Sequence, residues 1–192
     1  MKGRSFTVPE NDVSRYTSSK VREAVFGIMG DVTGLSVLDL FAGSGSFAVE
    51  ALSRGAEAAT CVERDKRMAD ALRKNLSMLL SDKDCLVLNM DVRYAMPSLY
   101  KRAVNYDIIF MDPPYGHDFI SETMVLLQKN VIYHNDTLFV LEYSKREIPA
   151  VLQKGFCKGK SARRYGDTMV SIMNGENLIM KNEELKEWGI IK

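Results

Sequence analysis

Short apolar runs, each ended by a small or acidic residue, recur along this chain, and between them apolar positions repeat at helical spacing. Val37-Leu38-Asp39-Leu40-Phe41, closed by Gly43-Ser44-Gly45, predicts a buried strand. Ala59–Glu63, Leu86–Met90, Asp107–Met111 and Thr137–Glu142 repeat the pattern. Ser46–Arg54 predicts a helix stopped by Gly55, and Asp65–Leu80 a longer one with Met68, Ala71, Leu72, Leu76 and Leu79 apolar. Ser121–Lys129 also reads as helical. Ahead of the first strand, Ser19–Met29 is amphipathic, with Val21, Val25, Ile28 and Met29 on one face and Gly30 closing it. This alternation implies a parallel sheet with helices on both faces. A short helix over Lys145–Gln153 follows, and then Phe156–Tyr165 and Thr168–Met173 flank Gly166-Asp167 as an antiparallel hairpin.

The resulting expectation is an α/β fold with a mostly parallel seven-stranded sheet flanked by helices and ending in that hairpin. At 192 residues the chain suits one domain: a basic segment and helix over 1–30, a core over 35–173 and a tail over 175–192. With 46% hydrophobic and 27% charged residues it has the balance of a soluble globular protein. No apolar run approaches the roughly 20 residues that span a bilayer, and Met1-Lys2-Gly3-Arg4-Ser5 leads into no secretory core, so a cytoplasmic protein is expected. Cys61, Cys85 and Cys157 are widely spaced, which speaks against a disulfide framework or structural zinc. The net charge of +1 hides a local +3 over residues 1–22 and +5 over residues 154–164, on a remainder of −7. Two basic segments on an acidic body suit a polyanion or are merely solvated loops; charge alone leaves both open.

Chemistry concentrates in Ile109-Phe110-Met111-Asp112-Pro113-Pro114-Tyr115. Each proline fixes its φ and offers no N–H, so the turn is stiff and its carbonyls are left to accept hydrogen bonds. A carboxylate, rigid carbonyls and a ring at one strand end form a clamp for a flat heterocycle bearing an amino group. Such an amine is a poor nucleophile because its lone pair is delocalised into the ring. Asp112 and the Pro113 carbonyl would accept its two protons and aim the lone pair, while Tyr115 stacks on the base. No metal is called for, and His117 nearby reads as incidental.

The glycine loop supplies the other half. Asp39, Phe41, Gly43 and Gly45 lie at the end of the first strand, and Glu63 ends the second, 18 residues after Gly45. An acid there typically holds the two hydroxyls of a ribose. Asp91, read as ending the third strand, could accept from an adenine amine, and Asp39 could meet a cationic amino group or simply bond loop amides. Gly43-Ser-Gly45-Ser-Phe-Ala48 also satisfies the dinucleotide pattern G-x-G-x-x-A. S-adenosylmethionine is favoured over a nicotinamide dinucleotide because Asp39 precedes the glycines, a dinucleotide fold does not predict the Asp-Pro-Pro-Tyr clamp, and no substrate domain remains.

Together these strings resemble a Rossmann-like class I S-adenosylmethionine-dependent methyltransferase that modifies amines, and more narrowly the ribosomal small-subunit methyltransferase D family. The residues carrying the resemblance are Arg15-Tyr16-Thr17 with Val21–Phe26, Leu38–Gly45, Glu50–Ala56, Val62-Glu63, Asp107, Asp112–Tyr115 and Tyr165–Thr168, over about residues 3 to 173. Tyr16 stands where that family usually has proline. The resemblance implies methylation of the N2 amine of a specific guanine in 16S ribosomal RNA, by a monomer acting on the small subunit or its assembly intermediate. Arg15, Thr17, Arg22, Lys160, Arg163 and Arg164 are candidates for RNA contact. The rivals are a DNA adenine-N6 or cytosine-N4 methyltransferase, and an inactive cofactor-binding RNA assembly factor.

Overall fold

In the computed structural model, which describes residues 19–79, 84–153 and 161–178, the elements follow the alternating order. They are α1 (Ser19–Met29), β1 (Ser36–Asp39), α2 (Ser46–Ser53), β2 (Ala58–Val62), α3 (Lys66–Leu79), β3 (Asp84–Leu88) and α4 (Val92–Lys101), then β4 (Tyr106–Met111), α5 (Phe119–Lys129), β5 (Tyr133–Ser144), α6 (Ala150–Gln153), β6 (Ser161–Tyr165) and β7 (Thr168–Asn174). A 3-10 turn at Gly175–Asn177 follows. The seven strands form one sheet in the order β3-β2-β1-β4-β5-β7-β6. The first five strands run parallel, and β7 is antiparallel to both β5 and β6. This is the Rossmann-like α/β architecture with a C-terminal hairpin that the sequence pattern leads one to expect.

The parallel strands are buried on both faces, which is why they read as nearly continuous apolar runs. Alternate residues divide between two cores. Leu38, Ile109, Met111, Phe139 and Leu141 pack with Met96 and Leu99 of α4 and Ile120, Met124 and Leu127 of α5. Val37, Ile108, Phe110 and Val140 pack on the opposite face with Val25 and Phe26 of α1, Phe47 and Leu52 of α2, and Leu72 of α3. Strand order reverses between β1 and β4, and a crevice at the carboxyl ends of the strands flanking such a switch point is the usual ligand site of open α/β sheets.

Several local expectations shift. α1 has the expected bounds, and Gly30 takes φ +83° while its N–H donates to the Phe26 carbonyl at 3.0 Å. α4 was not expected: Pro97 inside it masked a stripe of Val92, Ala95, Met96 and Leu99 that is buried at helical spacing. β3 ends at Leu88 and not Met90, so Asp91 does not end a strand; it caps α4, accepting from Arg93 N–H at 2.9 Å. The helix expected over Lys145–Gln153 is confined to Ala150–Gln153, because residues 145–146 turn against the hairpin tip. Of the hairpin's first arm, residues 156–160 lie outside the described residues.

Candidate functional site

A cavity of about 970 Å³ opens at the carboxyl ends of the strands. The β1–α2 loop forms one wall, and its path follows from the glycines. Gly43 (φ +51°) and Gly45 (φ +80°) hold left-handed conformations that allow the chain to leave β1 and enter α2 within a few residues. They serve differently. Gly43 lines the cavity, whereas a Cβ on Gly45 would lie 2.0 Å from Leu72 Cδ1, so Gly45 permits the close packing of α2 against buried Leu72 of α3. The loop also extends the sheet's hydrogen bonding, with Leu40 N–H donating to the Phe110 carbonyl and Ala42 N–H to that of Val62.

Glu63 stands just beyond β2 and ties this wall together. Its Oε2 accepts from Gly43 N–H at 2.8 Å and its Oε1 from Asp65 N–H at 2.7 Å. A carboxylate offers about four acceptor positions, so both oxygens retain capacity for a ligand hydroxyl. Asp91 is more heavily engaged: Oδ1 accepts from Arg93 N–H and Nε, and Oδ2 from Arg93 Nη2 at 3.0 Å. The Arg93 hydrogen bond, outweighing the opposing effect of burial, holds the Asp91 carboxyl below its ordinary range. Phe41 lines the same cavity half-buried, its ring 6.2 Å from that of Phe119.

Asp39 ends β1 at 1% exposure. Burial pushes its carboxyl up to about 8, against the Phe41 N–H that donates to it at 3.4 Å, and Asp112 and Glu63 raise it further as like charges. Such a group gains most from a cation placed beside it. The cavity floor is aromatic: Phe47 and Phe110 stack at 3.8 Å and 3°, and Phe26 stacks on Phe47 from behind.

Asp112-Pro113-Pro114-Tyr115 leaves β4, the strand beside β1, and lines the same cavity. Pro113 is buried, Pro114 exposed, and Asp112 and Tyr115 half-buried. The end of this turn is held where Gly116 N–H donates to Glu147 Oε2 at 2.7 Å. The turn also borders a second, smaller cavity of about 310 Å³, whose walls include His117 and Ser144. The large cavity thus brings together Asp39, Phe41, Gly43, Glu63, Asp91 and the whole Asp112–Tyr115 turn.

Two features were missed from sequence. Glu142, at 4% exposure near the end of β5, lines both cavities. Its signal was an acid closing the apolar run Leu138–Leu141. The hairpin tip Tyr165–Thr168 overhangs the large cavity and is fixed there by Lys145 Nζ paired with Asp167 and Lys145 N–H donating to the Asp167 carbonyl. Among the RNA candidates, Arg163 and Arg164 are exposed on β6, and Arg164 Nε donates to the Gly166 carbonyl at 2.8 Å. Arg22 lies on α1 with Nε 3.7 Å from Glu50 Oε2. Arg15, Thr17 and Lys160 lie outside the described residues.

Comparison with known proteins places the chain. The sequence model of the family described as Conserved hypothetical protein 95 matches residues 1–174. YlbH of Bacillus subtilis (strain 168) is 34% identical over 173 residues, covering 89% of this chain and 93% of that protein. Ribosomal RNA small subunit methyltransferase D of Escherichia coli (strain K12) is 35% identical over 142 residues, covering 73% and 70%. The solved structure of yhhF from Escherichia coli superposes with a TM-score of 0.73 at 29% identity, covering 88% of this chain and 90% of that one. The glycine wall, the proline turn and these likenesses meet in one assignment: the chain belongs to the Conserved hypothetical protein 95 family, that of ribosomal RNA small subunit methyltransferase D.

Proposed function

We propose that this protein transfers a methyl group from S-adenosylmethionine to the N2 amine of a guanine in 16S ribosomal RNA of the small subunit. The observation that carries the reading is the convergence of the Asp112–Tyr115 turn and the Asp39, Gly43 and Glu63 wall on one cavity at the sheet's switch point. The names of relatives, such as ribosomal RNA small subunit methyltransferase D, support ribosomal RNA as the substrate class. Guanine N2 rests on the family resemblance of the motifs.

The residues fit this cofactor. A cavity of about 970 Å³ stands at the upper end of the roughly 300–1,000 Å³ typical of small-molecule sites, large enough for a nucleoside cofactor with an acceptor base beside it. Buried Asp39 suits the ammonium of a methionine moiety, and Glu63, with spare acceptor positions, suits a ribose diol. Asp91 contributes chiefly by capping α4 at the cavity edge. When bound, the cofactor supplies an electrophilic methyl on a sulfonium.

The chain's own residues supply position and electrostatics. Asp112 and the Pro113 carbonyl accept hydrogen bonds from the two amine protons, which favours a pyramidal nitrogen with its lone pair localised for in-line attack. The consecutive prolines keep those acceptors from turning away. Tyr115 stacks on the extruded base, a contact worth about 1–3 kcal/mol. Proton loss from the methylated amine needs no strong base.

Asp112→Ala tests the clamp. Methyl transfer to small subunits lacking the modification, mapped to the nucleotide by mass spectrometry, falls by about 10²–10³, as for loss of a preorganised transition-state contact. Cofactor affinity changes by less than about threefold, since the clamp addresses the acceptor. Retained activity would refute the clamp, and methylation of a DNA amine in place of guanine would refute the substrate.

A further inference from the structure

β5 contributes a carboxylate to the site that no part of the mechanism above uses. The β4–β5 register pairs Met111 with Leu141, so Asp112 and Glu142 stand at neighbouring positions one step further along. The faces agree. Ile108, Phe110, Val37 and Val140 all belong to the core on the α1–α2–α3 side, and by alternation Asp39, Asp112 and Glu142 fall on that side too. Three adjacent strands therefore present three acids in a row at their carboxyl ends, each lining the large cavity. Asp39 faces the glycine wall and Asp112 belongs to the amine clamp. Glu142 lies on the far side of Asp112 from Asp39, in the wall shared with the second cavity.

Glu142 is only 4% exposed, and it borders the cavity that would receive the base. The chemistry of the proposed substrate offers it a donor. Guanine carries its N2 amine beside an N1–H donor, whereas adenine and 2-aminopurine present a lone pair at N1. With the amine held by Asp112, the next donor along the base edge is that N1–H. We propose that Glu142 is the residue that selects guanine, accepting a hydrogen bond from N1–H while Asp112 holds the adjacent amine. This rests on the reading of the site as a guanine-N2 methyltransferase. It assigns base choice to β5 and leaves the Asp112–Tyr115 turn, which suits any base amine, responsible for transfer alone. In its ionised form Glu142 accepts from the guanine N1–H and has no proton to offer an N1 lone pair, which is the basis of the discrimination.

The test uses small subunits reconstituted with 16S RNA carrying either guanine or 2-aminopurine at the methylated position; both offer the N2 amine. The wild-type protein is expected to prefer guanine by about 100-fold or more in kcat/KM, as sites built around a substrate donor do. In Glu142→Gln the amide N–H can serve the 2-aminopurine N1. Its guanine activity should fall about 10-fold or more while the preference collapses towards unity. Cofactor affinity and thermal midpoint, measured on the same preparation, report whether the variant is folded. Glu142→Asp, which keeps the charge on a shorter stem, should lose rate but retain guanine preference. If Glu142→Gln lowers both activities equally, Glu142 is structural and the assignment is overturned, with the guanine-N2 reading intact. If the wild-type protein methylates no guanine N2, that reading falls, and the assignment with it.

Discussion

Asp39 shows how one buried group ties stability to ligand. An ordinary aspartate titrates near 3.8 and this one near 8, mainly through burial. The folded protein therefore holds a proton that the unfolded chain releases above pH 4. The neutral carboxyl's contribution is complete below the unfolded value and is lost as pH rises towards 8. Asp39→Asn, which is always neutral, should raise the thermal midpoint of the ligand-free protein above the wild type at pH 8, by an amount that shrinks steadily as pH falls towards 4. A cation beside Asp39 reverses the balance by favouring the charged form. S-adenosylmethionine binding at pH 7 should accordingly release close to one proton, seen as a binding heat that varies with the buffer's ionisation enthalpy. That dependence disappears in Asp39→Asn. A wild-type binding heat indifferent to buffer would remove Asp39 from the ammonium site.

At the scale of elements, the strand ends opposite the cavity are clipped by Asp107 of β4. Its Oδ2 accepts from Ser36 N–H of β1 at 2.8 Å and from Ser36 Oγ at 2.7 Å, and its Oδ1 meets His134 Nε2 of β5 at 3.0 Å. Burial opposes the charged form, yet these hydrogen bonds outweigh it and hold the carboxyl below its ordinary range. The clip's contribution is thus present above the unfolded value of 3.8 and lost as pH falls through the lower folded value. Asp107→Ala leaves the part-buried Ser36 N–H without its acceptor, a cost of about 1–3 kcal/mol. At roughly 2–4 °C per kcal/mol for a chain of this size, the thermal midpoint should drop by several degrees at pH 7, while cofactor affinity, decided at the other strand ends, stays unchanged. The motifs marked Asp107 for its family pattern alone, since its partners arrive from strands distant in sequence. A bulge brings His134 there: Tyr106 pairs with Tyr133 but Ile108 with Leu138, and Thr137 Oγ1 stitches the irregularity by donating to the Tyr106 carbonyl and accepting from His134 N–H. Periodicity revealed elements whose burial is one-sided or complete, as in α1 and β4. It failed where a local rule was overridden, as at Pro97 inside α4, or where pairing decides the ends, as for β5, which the antiparallel β7 draws out to Ser144. The cavity lining is legible in the sequence where an acid ends or directly follows a strand, as Asp39, Glu63 and Asp112 do. Glu142 was missed because its meaning lies in the register against β4.

At the scale of the whole molecule, the question is how a chain of net charge +1 would engage the RNA proposed as its substrate. Its bases are concentrated: residues 154–164 carry five and no acid. β6, the edge strand of the sheet, holds two of them in Arg163 and Arg164, both exposed and directly preceding the hairpin tip that overhangs the cavity. RNA whose base enters the cavity from that side would pass its backbone across this edge. Each phosphate neutralised releases condensed counterions, so log K falls against log salt by about 0.7 per contact on a single strand and about 0.9 on a duplex. Replacing both arginines by glutamate should weaken binding to the small subunit and flatten that slope by about 1.5, as two contacts require. Affinity for S-adenosylmethionine should stay unchanged, because neither side chain lines the cavity. A variant that binds more weakly at an unchanged slope would have lost shape and not phosphate contacts, because only released ions carry the salt dependence. The footprint would then have to lie on other bases of the chain, and β6 would serve solely to hold the hairpin over the site.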